Sequence, residues 1–380
     1  MRSLKAGIKL LPALSLLLVL FPFSNSAETR FRSQLQSFTV EIINDKLLNP
    51  WSMSFLPSGD LLISEKAGTL QRLSLTGGSA VEISNPPEVA VKGQGGLMGL
   101  TLHPDFVNNR LLYMAYTAGS WGKYGTEVLR AKLEENRLTD HKVIFRATEK
   151  SSGGRHFGSR LLFDENGQLF VSLGDRGSKK FAQDLGDHRG SLIRLNEDGS
   201  VPEDNPFMAV PGARAEIYSY GHRNIQGLAI QGRELLWAHE HGPQGGDELN
   251  LIKAGNNYGW PVITYGVNYG IGTSIGEGTH KAGMQQPVYK WVPSIAPSGM
   301  VFYQGDRFPN WKGNLFVGSL KFGQLVRLEL KDGQVISEER LLDNKFGRIR
   351  DVAEGPDGYL YLLTDATRGK LLKISPSVDD

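Results

Sequence analysis

The chain contains the stretch Asn166-Gly167-Gln168-Leu169-Phe170-Val171, in which a polar turn with glycine leads directly into an apolar run. Asparagine and glycine supply the backbone conformations that tight turns need, and a short apolar run after such a turn is typical of a buried strand. The same pattern of a turn followed by a strand recurs at 57–63, 109–113, 232–237, 312–317 and 357–361. Six copies of one unit indicate a repetitive, strand-based fold.

A second motif, in which a glycine precedes a further strand, comes after each of the six copies. It begins at Gly68, Gly125, Gly190, Gly246, Gly323 and Gly369. The spacing of successive copies averages about 60 residues, and repeats of this size are typical of propeller blades, each of which is a four-stranded sheet. We therefore predict an all-β protein that folds as a six-bladed β-propeller. A pair of β-sandwiches is the weaker alternative, because it does not need six copies in register.

The last copy contains only about three strand signals, at 348–352, 359–363 and 370–374. A separate β-branched and apolar run, Phe38-Thr39-Val40-Glu41-Ile42-Ile43, stands before the first copy. A propeller ring closes when one blade takes strands from both ends of the chain. We therefore expect the N-terminal strand to complete the sixth blade and close the ring.

The composition excludes several classes of protein. The chain has 42 Lys and Arg against 40 Asp and Glu, and 22% of its residues are charged. This balance argues against a polybasic nucleic-acid-binding protein and against a disordered chain, so no nucleic-acid partner is predicted. There is no cysteine, which excludes disulfides and a cysteine-linked lipid anchor.

The N-terminus has the pattern of a secretory signal. Arg2, Lys5 and Lys9 precede an apolar run over 10–23, and small residues follow as far as Ala27. That order is typical of a signal peptide, and the run is shorter than the roughly 18–20 residues of a membrane-spanning helix. We predict a signal peptide over 1–27, a single propeller domain over 28–380, a periplasmic location and no stable membrane insertion after cleavage.

Long polar loops rich in glycine separate the predicted strands, and function in propellers is carried by such loops. Seven segments are informative in order: GQGGLMGLTLHPDF (93–106), GGRHFGSRLLFD (153–164), SLGDRG (172–177), AEIYSYGHRNIQGLA (215–229), EHGPQGGDELNLIKAGNNYGWP (240–261), SIAPSGMVFY (294–303) and RIRDVAEGPDGYLYLLTD (348–365). Together they resemble the soluble sugar dehydrogenases that use pyrroloquinoline quinone (PQQ), the glucose/sorbosone dehydrogenase family, and most closely its aldose sugar dehydrogenase branch. The resemblance implies that PQQ and Ca²⁺ lie above the channel of a propeller that oxidises C1 of an aldose to a lactone.

The resemblance assigns three residues to catalysis. His156 matches the general base, and an imidazole suits proton removal from a sugar hydroxyl near neutral pH. Asp175 matches the carboxylate that fixes the tautomer of this histidine and stabilises its imidazolium form. Arg223 lies in the segment that meets both the reacting centre and the cofactor.

PQQ carries three carboxylates, so its site requires cations and hydrogen-bond donors. Arg348 and Arg350 are two residues apart, and a strand would place them on one face. The resemblance implies that the cofactor is bound by Gln94, Arg223, Asn224, Lys321, Arg348 and Arg350.

Two calcium sites are implied in the same way. The main-chain carbonyls of Gly242 and Pro243 match the site that holds Ca²⁺ beside PQQ, and Ca²⁺ prefers such hard oxygen ligands. The side chain of Glu248 and the carbonyl of Tyr258 match a second, structural site.

Two other functions remain open from the sequence. The propeller could be a non-catalytic module that binds sugar or protein, or a lactonase-type hydrolase in which a metal in the channel activates water. The second of these prefers carboxylate ligands in the channel, and no such set is evident. The predicted partners are an aldose and an unidentified electron acceptor, and we expect a monomer or weak dimer.

Overall fold

The computed structural model describes residues 29–75, 79–148 and 150–377, so the predicted signal peptide over 1–27 lies outside the described residues. The chain begins with β1 (Thr29–Arg32) and β2 (Ser37–Leu47). Blade 1 consists of β3 (Pro50–Phe55), β4 (Leu61–Glu65), β5 (Leu70–Leu73) and β6 (Ala80–Glu82). Blade 2 consists of β7 (Leu97–Leu102), the short helix α1 (Phe106–Asn109), β8 (Leu111–Ser120), β9 (Lys123–Glu134) and β10 (Arg137–Arg146).

The next two blades carry the longest loops. Blade 3 consists of β11 (Leu161–Phe163), β12 (Leu169–Ser172), a 3₁₀ turn (Lys179–Gln183), β13 (Ser191–Leu195) and β14 (Ile217–Tyr220). Blade 4 consists of β15 (Ile225–Gln231), β16 (Leu235–Glu240), β17 (Asp247–Ile252) and β18 (Tyr289–Trp291).

Blade 5 consists of β19 (Pro297–Phe302), a 3₁₀ turn (Pro309–Trp311), β20 (Leu315–Ser319), β21 (Leu325–Lys331) and β22 (Gln334–Leu341). Blade 6 contains β23 (Ile349–Glu354), β24 (Leu360–Thr364) and β25 (Gly369–Pro376). Each blade is an antiparallel sheet. None of the helices within the described ranges is long and apolar enough to span a membrane.

The two repeated sequence motifs form the second and third strands of every blade. In blade 3 the turn before β12 contains Gly167, whose φ of 76° favours glycine. The strand that follows pairs with β13, with Leu169 opposite Leu195. The six-bladed prediction is therefore confirmed.

The ring closes through strands from both ends of the chain, as predicted. β2 pairs antiparallel with β25, with Val40 opposite Ile374 and Ile42 opposite Leu372. β1 pairs with β2 and adds a fifth strand that the sequence analysis did not identify.

The hydrophobic core lies between neighbouring blades. One cluster of buried side chains joins Phe316 of blade 5 to Leu362 of blade 6 and to Phe38 of the closing strand. The Phe308 and Trp311 rings stack in the same cluster, with centroids 4.5 Å apart. The inner strands of the blades are largely buried, so the loops at the ends of the channel are well placed to carry polar chemistry.

Candidate functional site

A cavity of about 620 Å³ opens where the central channel reaches one face of the propeller. Strands in each blade alternate in direction, so the loops that enter the first strand and those that join the second to the third emerge on this same face. All six blades contribute to its lining through these loops, with residues such as Lys66, Gln94, Phe157, Asn224, Lys321 and Arg348.

A histidine and an aspartate meet beside this cavity. His156 precedes β11 and Asp175 follows β12, so two loops of blade 3 bring them together. His156 Nδ1 lies 2.6 Å from Asp175 Oδ1, and both side chains are buried. The backbone of His156 has a φ of 55°, a left-handed conformation that is uncommon outside glycine. Its N–H donates to Gln94 Oε1 at 2.7 Å, which connects the pair to a residue of the cavity wall.

Asp175 is held by two further donors. The backbone N–H of Gly177 donates to Oδ1 at 2.7 Å, and the indole N–H of Trp260 donates to Oδ2 at 2.9 Å. Burial raises the pKa of Asp175, but the hydrogen bonds from His156, Gly177 and Trp260 outweigh it and hold the pKa below its usual value. The carboxylate is therefore ionised at neutral pH and accepts the Nδ1 proton of His156.

The second ring nitrogen of His156 is available. No hydrogen bond to Nε2 is formed within the described part of the chain. Burial lowers the pKa of His156, and the Arg223 and Arg155 charges lower it further against the opposing effect of Asp175. The imidazole is neutral near pH 7, with Nδ1 protonated and Nε2 free to accept a proton.

Arg223 and Asn224 lie between this pair and blade 4. Arg223 Nη1 donates to the carbonyl of His241 at 3.0 Å, and its guanidinium lies 5.4 Å from the centre of the Trp260 ring. Asn224 lines the cavity and accepts the N–H of Gly158 at 3.1 Å. Both side chains are buried.

The opposite side of the cavity is cationic. Lys321, Arg348 and Arg350 line it, and the two arginines share one partner, because each donates through Nη2 to Asp365 Oδ2 at 2.8 Å. Asp365 ends the motif over 348–365, which had assigned it no role. Only 11% of the Arg350 side chain is exposed, and its buried Nε has no hydrogen-bond partner among the described residues. An unsatisfied buried guanidinium donor at a cavity wall fits an anionic ligand with carboxylates.

A tight turn presents Pro243 at the same cavity, and Gly242, the residue before it, lines a smaller void nearby. The buried carboxylate of Asp247 holds this turn, since Oδ1 accepts the N–H of Gly242 at 2.9 Å. Its Oδ2 accepts the Ser294 hydroxyl at 2.7 Å and the N–H of Ala296 at 2.9 Å. The carbonyl of Pro243 accepts the Tyr269 hydroxyl at 3.1 Å. Two carbonyl oxygens held at a fixed turn beside an anion site fit a Ca²⁺ ion.

Glu248 and Tyr258 lie apart from the main cavity. They line a much smaller void of about 10 Å³ with Glu240 and Gly242. Burial raises the pKa of Glu248, and the neighbouring carboxylate of Glu240 raises it further. A cation would relieve this repulsion. Across the described ranges no three His, Cys, Asp or Glu side chains converge as metal ligands.

Several site residues were missed by the sequence analysis. Trp51 and Lys66 of blade 1 line the cavity, and no motif marked them. Tyr269 also lines it, in the long loop between β17 and β18. Trp260 lies in the motif over 240–261 and Asp365 in the motif over 348–365, and neither residue was given a role there. Their place within these motifs was the sequence signal that could have identified them.

The fold and site together define a β-propeller protein with a partly cationic cavity above its channel, beside a His–Asp pair. Comparison with known proteins agrees with that class. The chain matches the profile of Glucose / Sorbosone dehydrogenase over residues 47–373. It is 44% identical to the aldose sugar dehydrogenase YliI of Escherichia coli (strain K12) over 343 residues, which are 89% of this chain and 92% of that protein.

Two solved structures are similar. The apo-form of the soluble aldose sugar dehydrogenase from Escherichia coli superposes with a TM-score of 0.86 at 43% identity, covering 90% of this chain and 100% of that one. The PQQ-bound form of the aldose sugar dehydrogenase from Streptomyces coelicolor gives 0.76 at 30% identity, covering 90% and 98%. The chain belongs to the glucose/sorbosone dehydrogenase family, as its motifs predicted.

Proposed function

We propose that this protein is a quinoprotein that oxidises aldose sugars at C1 to lactones, with PQQ as the bound oxidant. The observation that carries the proposal is the His156–Asp175 pair, with its free Nε2, beside a cavity lined by Arg350, whose Nε has no hydrogen-bond partner among the described residues. Two relatives support it by name, one as an aldose sugar dehydrogenase and one in a PQQ-bound form.

In this reaction the chain's own residues move the proton. His156 Nε2 accepts the proton of the C1 hydroxyl while the C1 hydride leaves the sugar. Asp175 holds the Nδ1 proton of His156, so the imidazolium that forms is oriented and stabilised by a neighbouring negative charge. Arg223 is a buried cation, and its charge favours the neutral imidazole before the substrate binds.

The cofactor would be held by the cationic wall. Lys321, Arg348 and Arg350 are the candidates for its carboxylates, while Gln94 and Asn224 supply uncharged polar contacts at the opposite side. When bound, PQQ supplies the two-electron acceptor for the hydride.

The carbonyls of Gly242 and Pro243 would hold a Ca²⁺ ion, and the chemistry that this ion would supply is that of a Lewis acid. A second, structural Ca²⁺ would bind at Glu248 and the carbonyl of Tyr258. We also propose export to the periplasm through the segment at 1–27, and a monomeric or weakly dimeric protein.

The test is a titration of purified apo-protein with PQQ in calcium buffer, followed by an aldose panel and a dye acceptor, with His156→Ala in parallel. We expect sugar-dependent dye reduction in the wild type and a fall of about 10²–10⁴-fold in kcat in the variant. Binding of PQQ without oxidation of any aldose would make the substrate class wrong. Absence of PQQ binding would favour the non-catalytic module.

A further inference from the structure

The indole of Trp260 contacts Asp175 of the His156–Asp175 pair and also the neighbouring Arg223. Its Nε1–H donates to Asp175 Oδ2 at 2.9 Å, and its ring lies beneath the Arg223 guanidinium, with the charge centre 5.4 Å from the ring centroid. Only 7% of Trp260 is exposed. A single buried side chain therefore contacts the orienting carboxylate of Asp175 and the buried cation Arg223.

Trp260 is itself fixed on both sides of its backbone. Its N–H donates to the carbonyl of Gly221 at 2.8 Å, and its carbonyl accepts the side-chain amide of Gln183 at 2.8 Å. Its ring packs with Ala182 and Ile275. These contacts place the indole N–H where it cannot turn away from Asp175.

We propose that Trp260 is a positioning residue that sets the basicity of His156 through Asp175. With the indole bond in place, Asp175 Oδ2 is occupied and Oδ1 remains directed at His156 Nδ1. The indole N–H also reduces the negative charge density on the Asp175 carboxylate. The carboxylate then stabilises the imidazolium form of His156 less strongly. Removing this donor concentrates the charge on Asp175 and favours protonated His156. The inference rests on the proposed role of His156 as the base.

Other charged and titratable side chains also act on the His156–Asp175 pair. Arg223, Arg155 and His241 interact electrostatically with His156, and Arg176 and Arg223 do so with Asp175. None of these side chains is altered by a Trp260→Phe change, which retains an aromatic ring and removes the N–H donor. Trp291→Phe is a matched control. Trp291 is also buried and donates Nε1–H to a carboxylate, Glu338 Oε2, at 2.8 Å, but it lies in β18 on the outside of blade 4.

The direct test is the pKa of His156, measured by NMR on histidine-labelled apo-protein and assigned with His156→Ala. We expect an upward shift of about 0.5–1 pH unit in Trp260→Phe and none in Trp291→Phe. In Trp260→Phe loaded with PQQ and Ca²⁺, the apparent pKa of the acid limb of the kcat/KM pH profile should rise by the same amount. The affinity of this variant for PQQ should be unchanged. An unchanged His156 pKa in folded Trp260→Phe would overturn the inference.

If Trp260→Phe does not fold, hydrogen exchange at the Trp260 indole tests its hydrogen bond to Asp175 instead. Exchange of the Trp260 indole hydrogen with solvent should be slow in the wild type and at least 10-fold faster in Asp175→Ala, while that of Trp291 stays unchanged; equal rates at Trp260 would overturn the inference. Failure of the proposed function gives a different result, because the wild type with PQQ and Ca²⁺ would then show no aldose-dependent dye reduction, whatever the pKa of His156 measured by NMR.

Discussion

Arg160 Nη1 lies 2.7 Å from Asp351 Oδ1 and joins opposite sides of the propeller. Arg160 precedes β11 of blade 3 and Asp351 belongs to β23 of blade 6. The same two side chains reach two further blades, since the N–H of Met53 donates to Asp351 Oδ2 at 2.9 Å and Arg160 Nε donates to the carbonyl of Gln226 at 3.1 Å. This pair is a buried polar crosslink between four blades beneath the cavity.

We expect Arg160→Met to lower the free energy of unfolding by about 3–5 kcal/mol, because it leaves the Asp351 carboxylate buried without a counter-charge. The combined variant Arg160→Met with Asp351→Leu should recover much of that loss. Urea unfolding of the apo-protein measures both. Arg233→Met is the control, since Arg233 pairs with Glu165 at 3.8 Å and 86% of its side chain is exposed; it should cost less than about 1 kcal/mol. Equal losses for the two single variants would contradict the prediction.

The cationic wall predicts a difference between two neighbouring arginines. Arg350→Gln should weaken PQQ binding by about 10–100-fold, since it removes a buried donor worth roughly 1.5–3 kcal/mol toward a charged group. The side chain of Arg348 is 53% exposed, and solvent screens its charge. Arg348→Gln should therefore have the smaller effect. Fluorescence titration of apo-protein with PQQ compares them, and a larger loss for Arg348→Gln would contradict this arrangement.

The turn at Gly242 predicts a calcium phenotype for Asp247. Asp247→Asn replaces one acceptor oxygen with a donor, so the variant cannot accept all the bonds from Gly242, Ser294 and Ala296. We expect the Ca²⁺ concentration for half-maximal activity to rise by at least about 10-fold, a change of roughly 1.4 kcal/mol in binding free energy. Reconstitution of chelated protein over a Ca²⁺ series measures it. Asp306→Asn, an exposed carboxylate paired with Lys312, should leave the Ca²⁺ requirement of the protein as it is.

Buried His239 predicts a dependence of stability on pH. Burial holds its pKa well below the usual 6.5, and His241 and Arg160 contribute in the same direction. Above about pH 6.5 the residue is neutral in both the folded and the unfolded chain. Below that pH the unfolded chain takes up a proton that the folded chain does not, so His239 reduces stability by up to about 1.4 kcal/mol per pH unit.

The measurement for His239 is urea unfolding of the apo-protein between pH 7.5 and 5.5, compared with His239→Gln. Burial raises the pKa of Asp351, which acts in the opposite sense as pH falls, so the difference between the two proteins isolates the histidine. The variant should lose less stability than the wild type over this interval. Parallel pH profiles would show that His239 does not contribute.

The sequence by itself determined the architecture. Turns such as the one at Gly167 and the apolar runs after them repeat because every blade packs its strands against neighbouring blades in the same way. Six copies of this pattern therefore predicted six blades. The incomplete last copy and the separate run at 38–43 predicted the closure between β2 and β25 for the same reason. The sequence also predicted the family, because the family's motifs lie in the loops that form the site.

Only the tertiary structure decided which of those loop residues meet and with which partners. Trp260 and Asp175 are 85 residues apart, and neither has a local pattern that indicates a hydrogen bond between them. Asp365, just after β24, forms ion pairs with Arg348 and Arg350 at the start of the neighbouring strand β23. Arg160 forms an ion pair with Asp351 across the channel. A repeat specifies how strands pack against their neighbours, but contacts across the open end of a channel depend on the closed ring, which brings distant loops to one point.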